Sequence, residues 1–225
     1  MQNPLSCIPT KRTEEWWLKR HTDKLNEIAK SQGNFDLVFI GDSIVHAWEL
    51  EGEAAWNQHF KQLQTLNLGF SGDRTEHVLW RIQQGELDNF IATYVVLLIG
   101  TNNAGHRHDK PEEIAAGVES ILQSIRQKLP QSTIILTAIF PRSRTPLKRM
   151  RKAVDASNIL IRKLTDDNSV IWFDINEHLL NDEGILLESV MPDLLHPNQA
   201  QYQLWAKEIN ARFADKLSPP TKPSL

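Results

Sequence analysis

The sequence contains a single cysteine, Cys7, among 225 residues. One cysteine cannot form a disulfide within the chain, and it is too few for a cysteine-based zinc or iron–sulfur site. Uninterrupted apolar runs are also short, and none approaches the roughly 20 residues that a helix needs to span a bilayer. The segment from Met1 to Thr10 lacks the apolar core of a secretory signal, which predicts a cytoplasmic location.

An excess of positive charge is likewise missing. The chain carries 25 Lys and Arg against 28 Asp and Glu, which gives a formal net charge of −3. Proteins that bind the nucleic-acid backbone usually have a basic excess, so nucleic acid is not an expected partner. A hydrophobic content of 40% excludes collagen-like and disordered chains. The length predicts a single domain over residues 1–217, followed by a flexible tail at residues 218–225.

Short apolar segments alternate with amphipathic helical patterns along the chain. A helix at about residues 13–31 precedes them. The predicted strands are Leu37–Ile40, Leu63–Gly69, Tyr94–Ile99, Thr133–Ile139 and Val170–Phe173. The helices predicted after them are Thr75–Gln84, Pro111–Leu129, Leu147–Thr165 and Pro197–Phe213. This alternation predicts an α/β fold: a flavodoxin-like, five-stranded parallel sheet in a three-layer α/β/α sandwich.

Small and polar residues follow the predicted strands. In open parallel sheets, ligands bind beyond the carboxyl ends of the strands, and these ends share one edge. We therefore expect the segments after the strands to meet and form a site. These segments are Gly41-Asp42-Ser43, Gly69-Phe70-Ser71-Gly72-Asp73, Gly100-Thr101-Asn102-Asn103 and Phe140-Pro141-Arg142, joined by Asp193-Leu194-Leu195-His196 ahead of the last predicted helix.

Ser43 stands directly after a buried strand, on a predicted turn into a helix. The N-terminus of a helix favours negative charge, so a hydroxyl held there suits a nucleophile whose attack creates an oxyanion. The alternative is that Ser43 caps the helix, which is a frequent use of serine.

Gly72 and Asn102 are candidates for stabilising such an oxyanion. A glycine lets the backbone N–H approach a substrate closely, and an asparagine amide is a neutral hydrogen-bond donor. Taken singly, Gly72 is equally explained as a turn residue and Asn102 as part of an Asx-turn. Their placement after successive strands, beside Ser43, favours the catalytic interpretation.

Asp193 and His196 supply the remaining chemistry. A serine hydroxyl becomes a strong nucleophile when a histidine takes its proton, and a carboxylate holds that histidine in the right tautomer. Asp193 lies three residues before His196, so both side chains can reach one cleft. The alternative is a helix-capping aspartate beside a surface histidine.

Together these segments resemble the SGNH hydrolases, also called the GDSL family. The resemblance implies the SGNH hydrolase fold, with Ser43 as nucleophile and Asp193 and His196 as its catalytic partners. It also implies an oxyanion hole formed by the N–H groups of Ser43 and Gly72 and by the Asn102 side chain. The adjacent Asp42 and Asn103 are expected to bind substrate. No cofactor and no metal are expected.

A longer segment, Asn67–Arg81, resembles the catalytic subunits of the intracellular platelet-activating-factor acetylhydrolase, as does Gly85-Glu86-Leu87. Bacterial sugar-ester deacetylases share much of this pattern. The resemblance implies a serine esterase for short acyl groups, above all acetyl esters of carbohydrates. Alternatives are a (lyso)phospholipid or platelet-activating-factor-like acetylhydrolase, and a non-catalytic scaffold with the same fold. A homodimer is left open by the family.

Two histidine-containing segments suggest other roles. His77 is close to Gly72 in sequence, but we expect it to pack or hydrogen-bond within the helix that begins near Thr75. The segment His106-Arg107-His108-Asp109 lacks the spacing of a metal-binding motif, and we expect no metal there. A nucleotide or flavin site is disfavoured because the glycine-rich phosphate-binding motifs are absent from the sequence.

Overall fold

The computed structural model describes residues 3–217, so the predicted tail at 218–225 lies outside the described residues. Five strands form one sheet: β1 (Asn34–Gly41), β2 (Thr65–Gly69), β3 (Ile91–Leu98), β4 (Thr133–Thr137) and β5 (Val170–Phe173). The α-helices are α1 (Glu15–Lys30), α2 (Ser43–His46), α3 (Glu53–His59), α4 (Thr75–Arg81), α5 (Pro111–Lys128), α6 (Arg149–Ile161) and α7 (Gln199–Leu217).

The sheet is entirely parallel, with strand order β2-β1-β3-β4-β5. In its register, Ile40 of β1 lies opposite Leu68 of β2 and Leu97 of β3. This order confirms the predicted flavodoxin-like sheet. The strand order reverses beside β1, and the crevice at such a reversal is where open α/β sheets bind their ligands.

Alternate residues of each strand enter two separate cores. In β1, Val38 and Ile40 pack with α1, α4, α5 and α6, whereas Leu37 and Phe39 pack with α2, α3 and α7. All four side chains are fully buried. Burying an aliphatic or aromatic side chain of this size contributes about 1.5–3 kcal/mol each, so both helical layers are held firmly to the sheet.

The sequence predicted that a helix follows Ser43 but not where it ends, and it did not predict α3. Helices of four and seven residues are too short to show an amphipathic period, and their stability comes from packing on the sheet. The predicted helix Thr75–Gln84 is correct up to Arg81, after which the chain continues as a π-helical turn, Ile82–Glu86. Gly85 then has φ +95°, a left-handed conformation that ends the helix.

Helix α2 passes very close to the end of β2. A Cβ atom placed on Gly69 would lie 2.2 Å from the backbone nitrogen of His46. Only glycine permits this approach, and it brings the start of α2 beside the loop that follows β2. Across the described part of the chain, no helix is both long and apolar enough to cross a membrane.

Candidate active site

Ser43 is the first residue of α2 and follows β1 after only Asp42. The helix cap is Asp42, whose Oδ1 accepts a hydrogen bond of 3.0 Å from the Ile44 N–H. The interpretation of Ser43 as a capping residue is therefore wrong. Its hydroxyl is free of the helix backbone and points towards the loop that precedes α7.

Ser43 and His196 are in direct contact. The distance from Ser43 Oγ to His196 Nε2 is 2.8 Å, and the distance from His196 Nδ1 to Asp193 Oδ2 is 2.6 Å. The other carboxylate oxygen of Asp193 accepts the N–H groups of Leu195 and His196 at 3.0 and 2.7 Å. Such a chain of contacts can remove a proton from the serine hydroxyl and stabilise the imidazolium that forms.

The backbone of this loop sets the position of His196. Leu194 has φ +60°, an uncommon conformation for a residue other than glycine, and its N–H donates to the Met191 carbonyl at 2.8 Å. Partial burial opposes the ionisation of Asp193, but the backbone and side-chain hydrogen bonds from His196 outweigh it and lower the pKa of this carboxyl. Asp193 is therefore a carboxylate at neutral pH, ready to pair with the imidazole.

Gly72 occupies the loop after β2 with φ +79°, a conformation that strongly favours glycine. The loop is fixed on both sides of this residue. The guanidinium of Arg12 donates to the Ser71 carbonyl at 2.8 Å, and the Asp73 N–H donates to the Phe70 carbonyl at 3.1 Å. This bracing keeps the Gly72 backbone in one orientation.

Asn102 lies in the neighbouring loop after β3 and is tied to the same segment. Its Nδ2 donates to the Asp73 carbonyl at 2.9 Å. Because an amide nitrogen carries two hydrogens, this contact fixes the side chain and leaves a second hydrogen to donate. The arrangement suits a preorganised donor to an oxyanion.

A buried ionic network that sequence analysis missed lies below this loop. The Asp73 carboxylate accepts hydrogen bonds from Trp17 Nε1 at 2.7 Å and from Arg81 Nε at 2.9 Å. Arg81, itself fully buried, also contacts the Glu86 carboxylate and the Leu68 carbonyl. Burial raises the pKa of Asp73 to about 6, although the charge of Arg81 opposes the shift. The sequence signal was present in the Asn67–Arg81 segment, but only the fold reveals which of its polar residues face inward.

The structure corrects the expectation that Asp42 and Asn103 bind substrate. Asn103 has no exposed surface, and its amide joins the start of α4 to the loop after β3 through Thr75 N and Oγ1. Asp42 is 1% exposed, and its Oδ2 has no hydrogen-bond partner within the described residues. Both side chains lie beneath the site and support its loops, so a substrate cannot reach them.

A second serine–histidine pair borders the same cleft. Ser71 Oγ lies 2.9 Å from His46 Nδ1, and the Ser71 N–H donates to that nitrogen at 3.3 Å. Burial, together with the positive charge of Arg20, lowers the pKa of His46 to about 4. Accepting a proton is therefore unfavourable for His46, and this pair is poorly suited to activate a nucleophile.

His77 has the local role that the sequence predicted. His77 Nδ1 accepts the Arg74 N–H at 3.0 Å at the start of α4, which confirms that it is engaged within the helix rather than with Ser43. Burial and the charge of Arg74 lower the pKa of His77 to about 3. Among the side chains of residues 3–213, no group of three or more His, Cys, Asp or Glu is arranged to hold a metal ion.

A cleft of about 420 Å³ opens above Ser43. It is open to solvent, and both apolar and polar side chains line it. The residues that matter for a ligand are Ser43, Leu50, Glu51, Ser71, His196 and Asn198.

Comparison with known proteins decides the family. Residues 39–204 match the model of the GDSL-like lipase/acylhydrolase family, which is more than half of the chain. The chain belongs to this family. It is therefore a carboxylic ester hydrolase with the SGNH fold, and the sequence-based predictions of family, fold and enzyme class are confirmed.

Individual relatives of this GDSL hydrolase include a curated mammalian protein and two solved bacterial structures. The platelet-activating factor acetylhydrolase IB subunit alpha2 of Rattus norvegicus is 30% identical over 197 residues, covering 88% of this chain and 83% of the relative. A GDSL-like lipase of Bacteroides thetaiotaomicron has a TM-score of 0.70 at 17% identity, covering 88% and 98% of the two chains. Axe2, an acetylxylan esterase of Geobacillus stearothermophilus, has a TM-score of 0.60 at 17% identity, covering 84% and 97%.

Proposed function

We propose that this hydrolase is a serine esterase that removes acetyl and other short acyl groups, with Ser43 as nucleophile. The observation that carries the proposal is the unbroken chain of contacts from Ser43 Oγ through the His196 imidazole to the Asp193 carboxylate, at 2.8 and 2.6 Å. Each link has the geometry that its role in acyl transfer requires.

In the first half of the reaction, Ser43 Oγ attacks the ester carbonyl carbon while His196 Nε2 takes the hydroxyl proton. The tetrahedral intermediate then expels the alcohol, to which His196 returns that proton. In the second half, His196 removes a proton from water as the water attacks the acyl-serine. Collapse of the second intermediate releases the acid and restores the Ser43 hydroxyl.

The oxyanion of both intermediates is assigned to three donors: the N–H groups of Ser43 and Gly72 and the free amide hydrogen of Asn102. Support comes from the left-handed backbone of Gly72 and from the hydrogen bond that fixes Asn102 to the Asp73 carbonyl. Donors that are fixed before the reaction begins need no reorganisation as charge develops, which is why they lower the barrier effectively.

Carbohydrate acetyl esters are the proposed substrates because the cleft offers several neutral and anionic hydrogen-bonding groups near Ser43. Ser71, Glu51 and Asn198 all line it and can bind the hydroxyl groups of a sugar. At about 420 Å³, the cleft accommodates a small alcohol and a short acyl group, which disfavours long fatty-acyl chains.

A second candidate is the acetyl ester of a glycerophospholipid. It is favoured by the 30% identity to the rat platelet-activating factor acetylhydrolase subunit over 88% of this chain. The two candidates share the acyl group and the chemistry, and they differ only in the alcohol that leaves.

The test compares two serines of the same cleft. On p-nitrophenyl acetate, Ser43→Ala is expected to lower kcat on the order of 10⁶-fold, because the nucleophile is lost. The matched control, Ser71→Ala, removes a hydroxyl paired with a histidine that resists protonation and is expected to retain most activity. Labelling by a serine-directed organophosphate, located by peptide mass spectrometry, is expected at Ser43. Full activity in Ser43→Ala, or labelling at Ser71 alone, would refute the proposal.

The alcohol is identified by comparing kcat/KM for acetylated xylo-oligosaccharides with that for a 1-alkyl-2-acetyl glycerophospholipid, each corrected for the Ser43→Ala background. A higher value for the sugar esters supports the first candidate. A higher value for the glycerophospholipid replaces it with the second.

A further inference from the structure

A second hollow adjoins the active-site cleft on the far side of the loop that carries His196. Its volume is about 620 Å³, larger than that of the cleft itself. Asp193 lines both spaces, so the two adjoin at the catalytic loop. The positively charged residues that line the hollow are Arg142, Arg144 and Lys148.

The charge of this lining contrasts with the rest of the molecule. Residues 142–152 contain six Lys and Arg and no Asp or Glu, in a chain with a net charge of −3. The active-site cleft has the opposite character, since its charged lining residues near Ser43 are Glu51 and Asp193. Two adjoining spaces of opposite charge suit a ligand that is uncharged near the ester and anionic further away.

Arg142 forms the inner end of the hollow and has unused hydrogen-bonding capacity. Its Nη1 donates to the Thr101 carbonyl at 2.5 Å and to Thr101 Oγ1 at 3.2 Å. Its Nε is buried without a partner, and no carboxylate of residues 3–213 lies within salt-bridge distance of it. A half-buried guanidinium without a carboxylate partner is a favourable receptor for an anion.

The backbone around the hollow is rigid and unusual. Ser143 and Leu194 both line it, and both have left-handed backbones, with φ of +64° and +60°. The Ser143 N–H donates to the Leu194 carbonyl at 2.9 Å, which joins the basic segment directly to the catalytic loop. Left-handed conformations at residues other than glycine persist only where the surroundings enforce them, and they concentrate at functional sites.

We propose that this basic hollow, made by Arg142, Arg144 and Lys148, binds a phosphate or carboxylate group on the alcohol half of the ester. The inference rests on the proposed esterase function. The alcohol oxygen must lie beside His196 Nε2 to receive its proton, and Asp193, which holds that imidazole, also lines the hollow. The proposal therefore places the alcohol half on this side of the catalytic loop. Arg144 is exposed and paired with Glu188, an exposed carboxylate that a ligand anion can displace.

The experiment compares ester pairs in which one member carries an anionic group that the other lacks: 2-acetylglycerol 3-phosphate against 2-acetylglycerol, and O-acetylglucuronate against O-acetylglucose. The anionic member of at least one pair is expected to have a kcat/KM about tenfold higher, as charge-assisted hydrogen bonds to Arg and Lys predict. The pair that shows the preference distinguishes a glycerophosphate from an acidic sugar.

The variant Arg144→Gln/Lys148→Gln is expected to abolish the preference by raising KM for the anionic ester, with the neutral ester unaffected. A matched control, Lys152→Gln/Lys163→Gln, removes the same charge from surface positions outside the hollow and is expected to keep the preference. If the control variant loses the preference for the anionic ester to the same extent, the preference comes from the overall positive charge of the surface, and the proposal is overturned. Equal hydrolysis of charged and neutral esters by the unmodified enzyme would overturn it as well.

Direct binding separates this inference from the esterase proposal. Titration calorimetry with glycerol 3-phosphate is expected to detect binding to the unmodified enzyme and at least about tenfold weaker binding to Arg144→Gln/Lys148→Gln. If no acetyl ester is cleaved but this binding is found, the esterase proposal fails and the anion site stands. If esters are cleaved and no binding is found, the anion site fails alone.

Discussion

Ser43 Oγ and His196 Nε2 lie 2.8 Å apart although 153 positions separate the two residues in sequence. The sheet creates this contact. Ser43 begins α2, directly after the end of β1, and His196 lies in the loop that leads into α7. Helices α2 and α7 pack on the same face of the sheet. The proposed nucleophile and its proposed base are thus carried by elements that share one hydrophobic core.

The orientation of His196 depends on Asp193. We expect Asp193→Asn to lower kcat for p-nitrophenyl acetate about 10⁴-fold, less than the loss of Ser43, because an amide fails to hold the required tautomer and to stabilise the imidazolium. The control is Asp182→Asn, which changes an exposed carboxylate away from the cleft. A kcat for Asp193→Asn within tenfold of the unmodified enzyme would contradict this role.

Substitution of the adjacent residues Asn102 and Asn103 is expected to affect different properties, catalysis in the first case and stability in the second. Asn102→Ala removes the proposed oxyanion donor and should lower kcat roughly 10²- to 10³-fold with little change in KM. Asn103→Ala breaks buried hydrogen bonds to Thr75 and should reduce the free energy of unfolding by about 1–3 kcal/mol. Steady-state kinetics and urea denaturation on both variants measure the two effects. A pure stability loss in Asn102→Ala would remove it from the oxyanion hole.

Asp42 should make the folded state less stable as pH rises. Burial raises the pKa of Asp42 to about 7, whereas an unfolded aspartate has a pKa of about 4. Between these values the native state retains a proton that the unfolded chain has released, so the free energy of unfolding falls with increasing pH. The expected fall is on the order of a few kcal/mol.

Urea denaturation of Asp42→Asn, followed from pH 4 to pH 7, tests this contribution. Asparagine keeps the oxygen that caps α2 but does not titrate, so the dependence on pH should flatten. The control Asp182→Asn should leave the pH dependence of the free energy of unfolding unchanged. An unchanged slope in Asp42→Asn would mean that other groups cause it.

Arg81 is expected to be essential for stability. Arg81→Met leaves the buried Asp73 and Glu86 carboxylates without their shared cation, and should cost about 3–5 kcal/mol of unfolding free energy. The matched control, Arg126→Met, removes an exposed pair with Asp166 and should cost less than about 1 kcal/mol. Similar costs for the two variants would show that the buried network contributes no more than a surface ion pair.

The sequence by itself determined the architecture and indicated the edge of the sheet where the candidate site residues meet. The run Tyr94–Ile99 is apolar at every position, as is typical of a strand buried on both faces, and the alternation of five predicted strands with helices indicates a parallel sheet. Because the carboxyl ends of parallel strands share one edge, the residues that follow them, including Ser43, Gly72 and Asn102, were expected at one place.

Only the tertiary structure decided which contacts each polar residue at that edge makes. Asn102 and Asn103 are neighbours with the same side chain, yet one braces the Gly72 loop and the other is buried against α4. Their directions depend on loop backbones such as Leu194 and Gly72, whose left-handed dihedrals have no periodic signal in sequence. The same holds for the inward-facing Arg81, because its position is fixed by long-range contacts that a local pattern does not encode.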